Sequence, residues 1–220
     1  MADLAFPPGQ PPRLTAQDFA ARAAPRLVPV DAAGDAFEDE TSGDHRLDAR
    51  PFIVDPSNIR AAAVLIPIVA RDEATLLLTE RSHALAVHAG QIAFPGGRIE
   101  EGETPLDAAL REAHEEIGLA PTLVSPLGRL GPYLTGTGFR VTPIVALVES
   151  DYRLRLNPVE VAAAFEVPLA FLMDPAHHEM RTRELRGRTR HFYAMPWQGH
   201  EIWGATAGMI RLLYERVYGK

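Results

Sequence analysis

The fold of this chain is decided by residues 97–119, which read GRIEEGETPLDAALREAHEEIGL. The second half of this stretch predicts a short helix whose two ends are both marked. Thr104 is suited to the N-cap and Pro105 to the first helical position, and Asp107 follows three residues after the cap. Gly118 supplies the left-handed residue that ends a helix.

Three glutamates of this helix are predicted to share one face. With about 100° of rotation per residue, Glu115 and Glu116 fall within roughly 60° of Glu112. Carboxylates at such spacing repel each other, and a divalent cation with oxygen ligands would offset the repulsion. The alternative is a solvated acidic face, as on most glutamate-rich helices, but the glycine loop before this helix disfavours it. The buried stripe is predicted about 100–160° away, at Leu106, Leu110, Ala113 and Ile117.

The composition indicates one globular core and excludes several classes of site. The chain has 220 residues, of which 46% are hydrophobic and 23% charged. Its net charge of -7 argues against a nucleic-acid surface, which needs a basic footprint, and the absence of cysteine excludes disulfides and thiol nucleophiles. The N-terminus lacks a signal-peptide pattern, and the longest apolar run, 61–70, is too short to span a bilayer. We therefore expect a soluble, cytoplasmic protein with no membrane partner.

The chain is predicted to divide into an N-terminal extension, residues 1–57, which is partly flexible, and one domain, residues 58–217. The extension begins with a proline-rich stretch, after which Thr15 is predicted to cap a short helix that Phe19 anchors. Residues 31–55 are acidic and poor in apolar side chains, so we expect a loop or a poorly ordered connection. A mobile flap over the active site is the alternative for this segment.

The domain is predicted to be built on a strand over 61–70, an apolar run suited to burial on both faces of a sheet. Pro67 within it predicts a bulge or an edge position. Trp203 and the apolar residues after it recur with helical spacing and predict a closing amphipathic helix. Together the elements predict an α/β fold with a mixed sheet between helices. The remaining predictions are strands at 75–79, 91–94, 123–130 and 141–148, a strand end at 165–168, a short helix at 169–173, a flexible loop at 131–138, and a hairpin of 181–186 with 188–195.

The spacing of the acidic stretch resembles the Nudix box. That pattern runs Gly, five residues, Glu, seven residues, Arg-Glu, an apolar residue, any residue, Glu-Glu, any residue, Gly and an apolar residue. Nine specified positions make this a specific signal, and the resemblance implies the Nudix fold, a mixed sheet sandwiched between helices. The matching residues are Gly97, Glu103, Arg111, Glu112, Ala113, Glu115, Glu116, Gly118 and Leu119.

The resemblance also implies a metal-dependent hydrolase that uses Mg²⁺ or Mn²⁺. Glu112 and Glu116 would be direct metal ligands, and Glu115 would be a further ligand or a base that orients water. Arg111 points about 100° away from Glu112 on the helix. It is therefore better suited to link Glu103 and the glycine loop to the helix than to bind phosphate. The identity of the general base stays open, because this superfamily places it at different positions.

A second pattern, over residues 77–97, resembles the signature that precedes the box in the coenzyme A diphosphatase branch of the superfamily. Every specified position matches except one, because Ala86 stands where the second arginine of the signature belongs. Residues 202–207 also look like the start of the last helix of this branch. The implied substrate-binding residues are Arg81, Ser82, His88, Gly90 and Gly97.

Structural alternatives exist for several of these residues. Arg81 offers a planar fork for phosphate, and its alternative is a salt bridge near Glu80. His83 and His88 are candidates for contacts to phosphate or adenine, and their alternative is that of exposed polar groups in a loop. Phe94 is expected to fill the core beneath the glycine loop rather than to stack on a base.

The reaction implied by the resemblance is hydrolysis of the coenzyme A diphosphate to 4'-phosphopantetheine and adenosine 3',5'-bisphosphate. Two alternatives stay open: a diphosphatase for another nucleoside diphosphate derivative, such as ADP-ribose or a dinucleotide, and a non-catalytic nucleotide-binding module. The intact glutamates disfavour the second alternative. The resemblance also implies a homodimer. A group of arginines could meet the 3'-phosphate of the substrate or line the wet face of a hairpin, and it consists of Arg181, Arg183, Arg186, Arg188 and Arg190.

Overall fold

The apolar run forms β1 (Arg60–Val69), the central strand of the main sheet. The computed structural model describes residues 14–32, 42–48, 56–185 and 187–219. β1 runs parallel to β7 (Phe139–Val148) along its whole length, and the other pairings are antiparallel, which gives the predicted mixed sheet. The order is β3-β2-β1-β7-β5, with β8 paired to β2, β4 to β1 and β6 to β7. These strands are β2 (Thr75–Arg81), β3 (Ile92–Ala93), β4 (Gly96–Arg98), β5 (Val124–Arg129), β6 (Tyr133–Leu134) and β8 (Val161–Pro168).

β1 is buried on both faces, as its continuous apolar sequence predicts. Ala63 and Leu65 pack into the cluster on one face, and Ile66 and Ile68 pack into the cluster on the other. Pro67 does not produce a bulge, because the register with β7 continues through it without a shift. It lies instead between the stretches of β1 that pair with β4 and with β2, where its missing N–H costs no ladder hydrogen bond on that side.

The acidic stretch forms α2 (Pro105–Ile117), with both ends as predicted. Asp107 N donates to Thr104 Oγ1 over 3.2 Å, and Thr104 N donates to Asp107 Oδ2 over 3.2 Å, which closes a capping box. Gly118 ends the helix at a φ of 69° in the left-handed region. α2 covers one face of the sheet and forms its own hydrophobic cluster there.

The opposite face is covered by α1 (Ala16–Ala23), α3 (Leu169–Leu172), α4 (Ala205–Tyr218) and a second sheet. That sheet has the order β11-β10-β9 and consists of β9 (Glu179–Leu185), β10 (Arg188–Trp197) and β11 (His200–Trp203). The predicted α/β arrangement with helices on both faces is therefore confirmed.

Three local predictions are wrong. Trp203 lies in β11 and not in the closing helix, because the chain turns at Gly204, with a φ of 62°, before α4 begins. The same turn places residues 202–203 outside the last helix. The loop over 131–138 contains β6, since Tyr133 pairs with Val141 of β7. The glycines before the box form β4 rather than a loop alone.

The N-terminal helix is confirmed: Thr15 caps α1, and Phe19 is fully buried in the core. Part of the segment 31–55 is held against the domain. Ser42 N donates to Pro132 O over 2.9 Å, and Asp48 accepts hydrogen bonds from Arg190 and His191. Residues 1–13, 33–41 and 49–55, on which the proline-rich and flap predictions also fall, lie outside the described residues.

Candidate active site

The three glutamates of α2 occupy different environments although they follow one another closely on the helix. Glu116 is buried, with 4% of its surface exposed. The side chain of Glu112 is 16% exposed, and that of Glu115 is 54% exposed. The glutamates therefore form a gradient from the protein interior to solvent rather than one uniform face.

The buried stripe of α2 is rotated from the predicted one. Ala108 and Ala109 are fully buried, whereas Leu106 and Leu110 are only partly buried. Small alanines facing the sheet allow the helix to approach closely, and the same rotation carries Glu116 into the interior. Ala113 and Ile117 are buried as predicted.

Glu116 is held beneath the glycine loop, which comprises residues 95–97 at the start of β4. Its Oε2 accepts a hydrogen bond from Gly96 N over 3.2 Å. Burial, helped by the nearby carboxylates of Glu112 and Glu160, raises the pKa of Glu116 to about 7, against the opposing effects of the Gly96 N–H and of Arg81. A carboxylate in such surroundings binds either a proton or a cation.

Glu112 lies directly over Gly97. A Cβ at position 97 would overlap Glu112 Oε1, so any side chain larger than hydrogen would displace the carboxylate. Burial raises the pKa of Glu112, and Arg111 opposes the shift. The glycine of the box is thus required by the close approach of the loop to this carboxylate.

Arg111 connects the glycine loop to the carboxylates of Glu103, Glu112 and Glu115. Its Nε and Nη2 donate to the two oxygens of Glu103 over 2.7 and 3.0 Å, and Nη2 also donates to Arg98 O over 3.0 Å. Nη1 donates to Glu112 over 3.0 Å and to Glu115 over 3.2 Å. These bonds lower the pKa of Glu103 to about 2 and keep that carboxylate ionised.

The upstream loop, residues 82–91, places Arg81 at the edge of the carboxylate group. The Arg81 guanidinium acts electrostatically on Glu116, and its buried Nε has no hydrogen-bond partner among the described residues. The described part of the structure shows no salt bridge from Arg81 to Glu80, which was the alternative for this arginine, and Glu80 accepts instead from His83 Nε2 over 3.1 Å. Arg81 therefore retains an unused donor beside the site.

The other residues of the upstream signature lie at different depths. Ser82 is buried, whereas His88 is exposed and bonded through Nδ1 to Gln91 Oε1 over 2.7 Å. Gly90 adopts a φ of 69°, and the His83 ring lies where its Cβ would be. Phe94 is buried in the core beneath the glycine loop, as predicted.

Comparison with known proteins assigns the chain to a family. The model of the NUDIX domain matches residues 59–187. This chain belongs to the Nudix family. Proteins named "Uncharacterized Nudix hydrolase NudL" are similar over most of the domain. The one from Enterobacter sp. (strain 638) is 41% identical over 160 residues, covering 72% of this chain and 83% of that protein. The one from Escherichia coli O6:H1 is 43% identical over 157 residues, covering 71% and 82%.

Solved Nudix structures show a looser likeness. A Nudix hydrolase from Alicyclobacillus acidocaldarius has a TM-score of 0.44 and 21% identity, covering 56% of this chain and 83% of that chain. The Ap4A hydrolase of C. elegans, in a binary complex, has a TM-score of 0.44 and 20% identity, covering 49% and 80%. The family and its relatives make this chain a hydrolase of pyrophosphate bonds in nucleoside diphosphate derivatives, and the non-catalytic alternative is set aside. No helix in the described chain has the length and apolar character needed to cross a membrane.

Nudix hydrolases generally use divalent metals such as Mg²⁺ or Mn²⁺, and two glutamates of the box fit such an ion. Burial raises the pKa values of both Glu112 and Glu116, and the Glu112 charge raises that of Glu116 as well, as expected of a site completed by a cation. Glu115 is turned toward Arg111 and solvent instead. Among the described residues no group of three or more carboxylate or imidazole side chains is gathered as a ready-made metal site.

Glu160 is a further carboxylate of the candidate site that the sequence did not indicate. It lies in the loop before β8 and raises the pKa values of Glu112 and Glu116. Asn157 Nδ2 donates to Glu160 Oε1 over 2.9 Å, and Ser82 N donates to Glu160 O over 2.8 Å. The upstream signature and the box are therefore joined through this loop.

Two arginines of the group in the second sheet, Arg181 and Arg190, are engaged in structural contacts. Arg181 binds Glu179 and Glu201, each over 2.7 Å, and Arg190 Nη1 donates to Asp48 Oδ2 over 2.8 Å. Arg186 lies outside the described residues. These pairs favour the alternative in which the charges line the hairpin surface.

Proposed function

We propose that this Nudix hydrolase cleaves the diphosphate of coenzyme A or its acyl derivatives, giving 4'-phosphopantetheine, or its acyl form, and adenosine 3',5'-bisphosphate. The observation that carries the proposal is the junction of the upstream signature with the carboxylates of the box. Arg81 acts on Glu116, and Ser82 N donates to the backbone oxygen of Glu160. Arg81 and Ser82, which belong to the stretch that resembles the coenzyme A signature, thus adjoin the carboxylates at which a diphosphate would be hydrolysed.

The reaction needs an activated water and neutralisation of charge rather than a protein nucleophile. Water adds its oxygen to one phosphorus, the bond from that phosphorus to the bridging oxygen breaks, and the two phosphates share the protons. When bound, Mg²⁺ or Mn²⁺ would supply charge neutralisation and lower the pKa of the attacking water. Glu112 and Glu116 would hold that ion. Glu115 stays the candidate for a further ligand or for the base that orients water.

The remaining residues of the site position these groups. Arg111 fixes Glu103 and the carbonyl of Arg98, so that the glycine loop and α2 keep a constant separation. The unpartnered Nε of Arg81 offers a donor to a phosphate oxygen of the substrate. Gly97 allows the backbone to approach Glu112 closely. His88 and Gly90 belong to the exposed loop that would close around the phosphates.

A second substrate class is favoured by one observation. Ala86, exposed in the upstream loop, stands where the signature has an arginine, so one phosphate contact is missing. A diphosphate carrying fewer phosphates than coenzyme A, such as ADP-ribose, would lose nothing by this change.

A substrate panel separates the two classes. The protein is incubated with coenzyme A, acetyl-coenzyme A, ADP-ribose and a diadenosine polyphosphate, each with Mg²⁺ and with Mn²⁺, and the products are identified by mass spectrometry. The proposal expects the largest kcat/KM for coenzyme A or its acetyl form, with adenosine 3',5'-bisphosphate as a product. Preferred cleavage of ADP-ribose or the dinucleotide would replace it with the second class.

We also propose that residues 58–217 form the hydrolase domain and that it acts in the cytoplasm as a homodimer. The domain and the homodimer rest on the resemblance to the coenzyme A diphosphatase branch, and the cytoplasmic setting rests on the composition and on the lack of a signal-peptide pattern. Light scattering after size-exclusion chromatography gives the mass in solution directly, and a mass near 24.1 kDa would contradict the dimer.

A further inference from the structure

Two arginines converge on one aromatic ring at the end of β1. Arg60 Cζ lies 4.0 Å and Arg98 Cζ lies 6.0 Å from the ring centroid of Phe139. Both arginines are exposed, and the ring is partly buried. The strand register brings the three residues together. Arg60 of β1 pairs with Phe139 of β7 on one side, and Ala62 of β1 pairs with Arg98 of β4 on the other side.

Neither arginine has an acidic partner among the described residues. Arg60 Nη2 donates to Thr137 O over 3.2 Å, which holds this side chain in place without neutralising it. The Arg98 side chain has the ring as its one described contact. Two guanidinium groups on one ring repel each other. They form a local positive charge on a chain that is acidic as a whole, with a net charge of -7. An anion between them would remove that repulsion.

The two arginines lie on the opposite face of β4 from the carboxylates of the candidate site. Gly97 of β4 faces Glu112, and successive residues of a strand point to opposite faces, so Arg98 points the other way. The carbonyl of Arg98 accepts from Arg111 Nη2 over 3.0 Å, which fixes the strand relative to the carboxylates. Within the described chain β4 pairs with β1 alone, so its second edge is open to a ligand that passes from one face to the other.

We propose that Arg60 and Arg98 bind the phosphate monoester on the ribose of the substrate, remote from the diphosphate that is cleaved. The inference rests on the proposed function, because it requires a substrate with a third phosphate. Guanidinium groups bind phosphate through paired N–H donors, and stacking on the ring restricts their motion before the ligand arrives. The missing arginine at Ala86 is then compensated by cations on the opposite face of β4.

The test compares two nucleotides that are not hydrolysed. Isothermal titration without metal gives the Kd of adenosine 3',5'-bisphosphate and of adenosine 5'-monophosphate for the wild type and three variants. The wild type is expected to bind the bisphosphate at least about tenfold more tightly. Arg60→Gln and Arg98→Gln should each reduce this preference to less than about threefold and leave the affinity for the monophosphate unchanged. Arg183→Gln, at an exposed arginine of the second sheet, should keep the full preference.

Three outcomes would overturn the proposal: no preference for the bisphosphate in the wild type, a preference kept in both Arg60→Gln and Arg98→Gln, or a preference lost in Arg183→Gln. Equal melting temperatures of the four proteins establish that the variants fold. Because the titration needs no turnover, its result is independent of the assay for cleavage. Binding of the bisphosphate as expected, without cleavage of coenzyme A, would contradict the proposed function and leave this phosphate site standing.

Discussion

At the scale of single residues, the buried carboxylate of Glu116 is the most unusual feature of the molecule. Its pKa is raised from 4.5 to about 7 because it is removed from water. A shift of this size means that the folded state is about 3 kcal/mol more stable, relative to the unfolded state, when Glu116 is protonated than when it is ionised. Without metal, the ionised Glu116 therefore lowers the free energy of unfolding at the pH at which the enzyme would bind its cation.

This cost predicts a pH dependence of stability. Below pH 4.5 Glu116 is protonated in both states, and as the pH rises through about 7 the folded protein loses the contribution. We expect the metal-free protein to lose stability between these values, as measured by urea unfolding, and Mg²⁺ to restore it at the upper end. Glu116→Gln is uncharged and should remove the loss. The same dependence of unfolding free energy on pH in the variant and in the wild type would contradict this role of Glu116.

Ala86 allows a test of the departure from the coenzyme A signature. Because this position is exposed, an arginine can be introduced without disturbing the core. Ala86→Arg should lower the KM for coenzyme A by about three- to tenfold, as expected for one added charged hydrogen bond. The neighbouring exposed Val87→Arg adds the same charge beside the signature position and should have a smaller effect. Equal effects of the two variants would indicate only nonspecific attraction of the substrate.

The residues of the box could be predicted from the sequence, and their depths could not. Rotation about the helix places Glu112, Glu115 and Glu116 on one side, but it does not show how closely the sheet approaches. That distance is set by Ala108 and Ala109, which are small enough for close packing. Glu160 escaped prediction because it is brought to the site by a loop that has no pattern of its own.

At the scale of elements, α2 is fixed by the ends that its sequence specifies. The capping box at Thr104 satisfies two backbone groups that would otherwise lack partners at the start of the helix. The helix then carries the carboxylates at a defined angle to the glycine loop. The stability of this end is local and separate from the chemistry.

We therefore predict that Thr104→Ala destabilises the protein without abolishing activity. Loss of the cap should cost about 1 kcal/mol, which corresponds to roughly 2–4 °C in melting temperature for a chain of this size. Thr122→Ala, at an exposed threonine whose side chain has no described contact, should change the melting temperature little. Differential scanning calorimetry makes the comparison, and a Thr104→Ala protein as stable as the wild type would contradict the role of the cap.

Elements with strong local signals were predicted well, and elements made by pairing were not. α2 and β1 have their caps and apolar runs in the sequence. β4 and β6 contain few residues each and exist because β1 and β7 offer them edges. Trp203 has helical spacing with later residues, but it is held in β11 by pairing with Ala194.

At the scale of the whole molecule, the sheet separates a layer that carries the carboxylates from a layer that carries most of the remaining core. The N-terminal helix belongs to the second layer. Phe19 is fully buried there, in the same cluster as residues of α4. The extension therefore contributes to the core of the protein even though the family model matches only from residue 59.

Truncation of this anchor should destabilise the whole protein. Phe19→Ala leaves a cavity in a packed core and is expected to lower the free energy of unfolding by about 3–5 kcal/mol. Gln17→Ala, on the exposed face of the same helix, should leave it unchanged within about 0.5 kcal/mol. Urea unfolding followed by tryptophan fluorescence measures both. A Phe19→Ala protein of wild-type stability would show that α1 docks independently of the core.

The most direct measurement of the central claim is the cleavage of coenzyme A by the wild type and by Glu116→Gln at saturating Mg²⁺, with products identified by mass spectrometry. The account predicts 4'-phosphopantetheine and adenosine 3',5'-bisphosphate from the wild type, and at least about a hundredfold lower kcat from the variant, because a neutral amide is a poor ligand for Mg²⁺. Glu101→Gln, at an exposed glutamate of the turn before α2, should retain wild-type turnover. Near-normal turnover by Glu116→Gln would contradict the claim that the buried carboxylates hold the metal that cleaves the diphosphate.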